Sequence, residues 1–135
     1  MTLKEELLQE NQGISNTIEI LAHLLNHNEL RKNPVFCNLL KDFSSSVNEH
    51  LNHEGRTAIK ELLPQNDNGA HEVAVQFINN TNQLTGIMKS YAKHWCNVPH
   101  DFSSNEAFVE ETKNIFHLVT KRINLEEDKL FPYIN

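Results

Sequence analysis

Four stretches of this chain repeat apolar residues at alternating steps of three and four, the period of an amphipathic helix. The first runs Leu3, Leu7, Ile14, Ile18, Leu21 and Leu25, with Asn11 as its polar member. The second runs Phe36, Leu40, Phe43 and Val47, then through His50 and Glu54 to Glu61 and Leu62. The third reads His71, Val75, Ile78, Asn82, Thr85, Met88, Ala92 and Trp95, and the fourth Phe108, Thr112, Ile115, Val119, Arg122, Glu126 and Leu130. Between them, "RKNPV" (31–35), "LPQNDNGA" (63–70) and "NVPHDFSSNE" (97–106) gather the residue types that end helices and build turns. Ser104 or Asn105 is the expected N-cap of the fourth helix, with Glu106 in its first turn. Connections this short make consecutive helices antiparallel neighbours. The predicted fold is all-α: one domain over residues 1–135, an up-down-up-down antiparallel four-helix bundle.

Polar residues interrupt all four stripes where a plain bundle would carry leucine. They are Asn11, His50, Glu54, His71, Arg122 and Glu126, with Asn82 and Thr85 less pronounced. Antiparallel packing brings these six towards the same end of the bundle, and His50 and Glu54, four apart, share one helix face. A buried imidazole, two carboxylates and a guanidinium are costly unless paired, hydrogen-bonded or bound to metal. One reading is a carboxylate–histidine site for iron or manganese, which suit mixed nitrogen and oxygen ligands on facing helices. The other is a polar network in which Arg122 neutralises Glu54 and Glu126.

Composition removes other classes of function. A net charge of −6 supplies no basic face for nucleic acid. No run approaches the roughly 18 apolar residues of a membrane span, and "MTLKEELLQENQG" lacks the apolar core of a signal peptide, so a cytoplasmic protein without membrane association is expected. Cys37 and Cys96 do not make a disulfide framework. With His23, His27, His94 and His100 they converge at the opposite end of the bundle, but only His23 and His27 have ligand-like spacing, so half-buried thiols and surface histidines are the simpler expectation. His53 and His117 fall on outward faces, and Tyr91 and Trp95 read as core or rim aromatics. No Ser/His/Asp or Cys/His set shares a locus and no glycine-rich phosphate loop occurs, so the chain is not expected to be an enzyme.

Four quoted stretches carry a family resemblance: "LLQENQGI", "EHLNHEGRTAIKELLP", "AHEVAVQF" and "RINLEEDKLFPYI". Together they resemble the hemerythrin-like, or HHE cation-binding, family over essentially the whole chain. That family places a His on helix one, H-x-x-x-E on helix two, a His on helix three and H-x-x-x-E on helix four, with a Leu-Phe-Pro tail. His50 and Glu54, His71, Glu126 (or the adjacent Glu127) and Leu130-Phe131-Pro132 match those positions. Asn11 and Arg122 stand where the family has histidine, and a guanidinium, with donors only, cannot ligate a metal. The resemblance implies metal ligands His50, Glu54, His71 and Glu126 holding iron as a single ion or a partial diiron centre, in a protein that binds metal or senses oxygen or nitric oxide. Pro64 lies further beyond Glu54 than Pro132 lies beyond Glu126, so helix two carries an extra turn or shifts its register.

"RINLEEDKL" is also similar to the last helix of the anti-sigma regulators that bind the main sigma factor of RNA polymerase, themselves small acidic helical bundles. That narrower resemblance implies the alternative: a metal-free regulatory module with a protein partner.

Overall fold

The computed structural model describes residues 1–31, 33–95 and 106–135. Among them every regular element is helical: α1 (Leu3–Leu25), a short α2 (Asn28–Arg31), α3 (Pro34–Glu54), a short α4 (Lys60–Leu62), α5 (Ala70–Trp95) and α6 (Glu106–Leu125). Two π-helical turns, Gly55–Ile59 and Glu126–Leu130, continue α3 and α6, and a 3-10 turn, Phe131–Tyr133, closes the chain. No described helix is long and apolar enough to cross a membrane.

Local chemistry sets the helix starts. Glu5 N–H donates to the Thr2 hydroxyl at 3.1 Å, with Glu5 and Glu6 in the first turn of α1, where acidic side chains oppose the positive end of the helix dipole. Asn33 caps α3 by accepting from Val35 N–H at 3.0 Å, and Pro34 follows at a position whose N–H would have no helical partner. Before α5 the chain turns at Asn68 and Gly69, with φ of 55° and 79°, and the Tyr133 hydroxyl donates to the Asn68 carbonyl. Glu106 stands in the first turn of α6, while Ser104 and Asn105, the expected caps, lie outside the described residues.

The long helices bury two apolar clusters. One joins Leu21, Leu25, Phe36, Phe43, Trp95 and Phe108; the other joins Leu7, Ala58, Leu62, Phe77, Leu130 and Phe131. Edge-to-face contacts of Phe36 with Phe108 and Phe43 with Phe116 tie α3 to α6 in the first cluster. Along α1 the inward stripe passes from Leu7 in one cluster through buried Asn11 to Ile14 in the other. Along α3 it passes from Leu51 through Glu54 to Ala58, and along α6 from Ile123 through Glu126 to Leu130. A polar layer therefore separates the clusters, rather than lying at one end of the helices.

Two expectations of the periodicity are corrected. In α5 the buried stripe is Ala70, Ala74, Phe77, Leu84, Met88, Tyr91 and Trp95, while His71, Val75, Asn82 and Thr85 are exposed. The counted stripe was one residue out over the first half of the helix, because two alanines give little hydrophobic signal. In the second segment Glu61 is exposed and Leu62 buried. The π-turn after Glu54 widens one turn of the helix and so rotates everything beyond it relative to a strict α count. The uneven spacing of Pro64 and Pro132 comes from α4, which follows the first π-turn, whereas the matching π-turn at Glu126–Leu130 runs directly into the closing 3-10 turn.

Candidate metal centre

The polar layer is built from α3 and α6, each presenting two side chains four residues apart. His50, Glu54, Arg122 and Glu126 are all buried, the two glutamates at 0% exposure. Both carboxylates directly precede or open a π-turn, a distortion that frequently marks functional sites in helices.

Each carboxylate is shared between Arg122 and His50. Arg122 Nη2 donates to Glu54 Oε1 at 2.6 Å and Nε donates to Glu126 Oε2 at 2.8 Å. The other pair of oxygens turns towards the imidazole: His50 Nε2 lies 2.8 Å from Glu126 Oε1 and 3.5 Å from Glu54 Oε2. Glu54 Oε2 is buried and has no hydrogen-bond partner among the described residues. Arg122 Nη1 donates to Asn80 Oδ1 at 2.8 Å and to the Phe77 carbonyl at 3.3 Å, and the guanidinium stacks 4.9 Å from the Phe77 ring centre.

His50 is oriented from behind. Its Nδ1–H donates to Glu10 Oε1 at 2.7 Å, and Glu10 Oε2 accepts from His53 Nδ1 at the same distance. A carboxylate on one imidazole nitrogen fixes the ring and aims the other at the site, the support that metal-ligating histidines commonly have. His53, expected to be solvated, is thus half-buried and paired with Glu10. A cleft of about 600 Å³ along α1 and α3, lined by Glu10, Gly13, His50 and His53, opens this side of the layer.

These contacts set the protonation states. Burial opposes the charge on His50, but the hydrogen bond and charge of Glu126, the Glu10 hydrogen bond and the charge of Glu54 outweigh it and raise the imidazole to about 9. Burial and the charge of Glu126 push Glu54 up to about 8, against the pull of Arg122 and His50. Burial acts on Glu126 as well, yet the hydrogen bond and charge of His50, with the charge of Arg122, hold it below the usual carboxylate range. Glu54 and His50 thus hold their protons more tightly, and Glu126 less tightly, than the free groups do.

The site divides the residues expected from sequence. His50, Glu54 and Glu126 come together, each offering a ligand atom within 4.8 Å of the others. His71 does not join them: it is exposed, and its Nδ1 donates to the Leu63 carbonyl at 2.7 Å. Glu127 is exposed. Arg122 and Asn11 are both buried, and among the described residues both amide atoms of Asn11 lack a partner, as does Thr81 Oγ1. Leaving such groups unmatched costs about 1–3 kcal/mol each. Sequence reasoning missed Glu10, His53, Phe77 and Asn80. Glu10 and Asn80 lie beside the inward stripes rather than on them, so only helix pairing reveals their reach. Of the expected Cys/His group, Cys37 is half-buried, His23 and His27 are exposed with rings 4.6 Å apart, and Cys96 and His100 lie outside the described residues.

The donor set fits one metal ion and not two. His50 Nε2, Glu54 Oε2 and Glu126 Oε1 converge, and the partnerless Glu54 oxygen is among them. The opposite oxygens are held by Arg122, a fixed cation where a second ion would need them. No family model, no curated protein and no solved structure matches the chain.

Proposed function

We propose that this chain is a hemerythrin-like metal-binding protein, an up-down-up-down antiparallel four-helix bundle that holds one divalent ion, ferrous iron in the first instance, through His50, Glu54 and Glu126. The buried Glu54 Oε2, without a hydrogen-bond partner and beside His50 Nε2, carries the reading. Two carboxylates and an imidazole suit iron or manganese. Three protein ligands leave coordination positions for a small exogenous ligand, which fits a role in sensing oxygen or nitric oxide rather than in catalysis. His71 leaves the ligand set inferred from the family resemblance, because it faces solvent.

A second reading has its own supporting observation. Arg122 already binds both carboxylates and His50 bridges Glu126 to Glu10, so the layer is held together by its own charges. On that reading the bundle is a metal-free regulatory module that docks on a protein partner.

Anaerobic reconstitution of the purified chain with ferrous iron separates the two. One iron per chain is expected, lost in His50→Ala and in Glu126→Gln, with no near-UV oxo-bridge band on exposure to air. Two irons per chain would overturn the single-ion reading, and none would leave the metal-free module.

A further inference from the structure

Asn11 is the polar group of the core that its surroundings explain least. It is 2% exposed, yet among the described residues neither Oδ1 nor Nδ2 has a hydrogen-bond partner. Burial alone does not cause this. Thr112, at 0% exposure in the same core, donates to the Phe108 carbonyl at 2.7 Å and accepts from the Tyr91 hydroxyl at 2.6 Å. Buried amides in folded proteins are satisfied by protein or by small polar guests.

Its position belongs to the metal layer. Asn11 lies between Leu7 and Ile14, which belong to different apolar clusters, and it follows Glu10, the residue that holds His50 Nδ1. Thr81 Oγ1 on α5 and Glu54 Oε2 on α3 are the other partnerless buried oxygens of the layer. Thr81 sits between Phe77 and Leu84, again members of the two separate clusters. Partnerless polar atoms thus come from α1, α3 and α5, while α6 supplies Arg122 and Glu126, which are fully engaged.

An amide does not resolve this by binding the ion itself. Its neutral carbonyl is a weak donor beside two carboxylates, so Oδ1 is a poor ligand there. A small molecule carrying an oxygen would give Nδ2–H its acceptor.

We propose that Asn11 is the hydrogen-bonding residue for the exogenous ligand of the ion: its Nδ2 donates to the oxygen of a two- or three-atom molecule bound beside His50, Glu54 and Glu126. The inference rests on the single-ion reading above. An uncharged donor selects such a ligand by hydrogen bonding without adding a second fixed cation to a layer that already holds Arg122.

The test loads the full chain anaerobically with ferrous iron and adds nitric oxide as the probe. Asn11→Leu replaces the amide by an apolar group of similar size, and Asn11→Ala removes it without crowding the core. Both are expected to keep one iron per chain. Both should release nitric oxide on the order of tenfold faster than the unsubstituted chain and show a higher N–O stretching frequency, as one hydrogen bond to the ligand is lost. Unchanged release and unchanged stretch in either iron-loaded variant would overturn the assignment. Loss of iron from folded Asn11→Ala would overturn it too, by making Asn11 a ligand of the ion, while the single-ion reading of the unsubstituted chain would stand. An unsubstituted chain that takes up no iron would overturn this inference and the single-ion reading together.

Discussion

Arg122 on α6 reaches across the core to Glu54 on α3, Nη2 to Oε1 at 2.6 Å, with both side chains closed off from solvent. The same guanidinium holds Glu126 four residues along its own helix. One charge therefore fixes the carboxylates of two helices and determines which oxygen of each remains for His50. A buried ion pair is weak proof of stability, because both partners lose their hydration, but a buried carboxylate stripped of its partner is strongly unfavourable.

Arg122→Met should accordingly destabilise the metal-free protein by about 3 kcal/mol, read as a fall in the urea midpoint. Adding Glu54→Gln removes one of the stranded carboxylates, so the double variant should lose less than the sum of the singles. Strict additivity would show that the two side chains do not interact.

Arg122→His exchanges the fixed cation for an imidazole four residues before Glu126. Ferrous affinity should rise, and binding of a second ion becomes chemically allowed. Iron titration followed by metal analysis measures both. An affinity no better than that of the unsubstituted chain would argue against α6 as a ligand-bearing helix.

Stability of the metal-free protein should fall as the solution turns alkaline. His50 is raised from 6.5 to about 9 and Glu54 from 4.5 to about 8, so both hold their protons more tightly folded than unfolded. Such a group favours the fold fully below its unfolded value and loses that contribution as pH rises through the folded one. The Glu54 contribution fades from 4.5 to about 8 and that of His50 from 6.5 to about 9. Glu126 is shifted the opposite way, so its contribution is lost only in acid. Between about pH 6.5 and 8 the two losses overlap, so the fall is steepest there. Urea midpoints across this range measure the slope, which Glu54→Gln should make shallower; midpoints independent of pH would contradict the assigned protonation states.

Two glycines should respond oppositely to alanine. Gly69 has φ +79°, and a Cβ there would lie 3.3 Å from the Tyr133 hydroxyl oxygen, so Gly69→Ala should cost about 1–2 kcal/mol. Gly13 sits within α1, and a Cβ there meets nothing within 4 Å, so Gly13→Ala should add about 0.5–1 kcal/mol through helix propensity. Thermal unfolding of the two variants should move the midpoint down for the first and up for the second. The same direction in both would place the cost elsewhere than in backbone conformation.

Much of the helical organisation was legible because a period near 3.6 leaves its mark wherever one face is buried. The stripes of α1 and α6 are the observed ones, and His50, Glu54, Arg122 and Glu126 stood out as charges on an inward face. In α5, by contrast, Ala70 and Ala74 are too weakly apolar to outvote His71 and Val75, and the stripe slipped by one residue. The extra turn after Glu54, α4, was visible only as an uneven proline spacing, and the π-turns were not visible at all, because no residue type marks a π-turn as such.

From periodicity and side-chain chemistry alone follow the helical class, five ionisable side chains on inward stripes (His50, Glu54, His71, Arg122 and Glu126), and the exclusion of Arg122 as a metal ligand. The packing of the helices against one another decided how the two glutamates divide their oxygens: Oε1 of Glu54 and Oε2 of Glu126 to Arg122, the other two towards His50. It also decided that His71 stays outside while Glu10, His53 and Asn80 reach in. The reason is geometric. Periodicity fixes where a residue lies around its own helix, whereas a hydrogen bond between helices depends on their relative height and rotation, which packing sets.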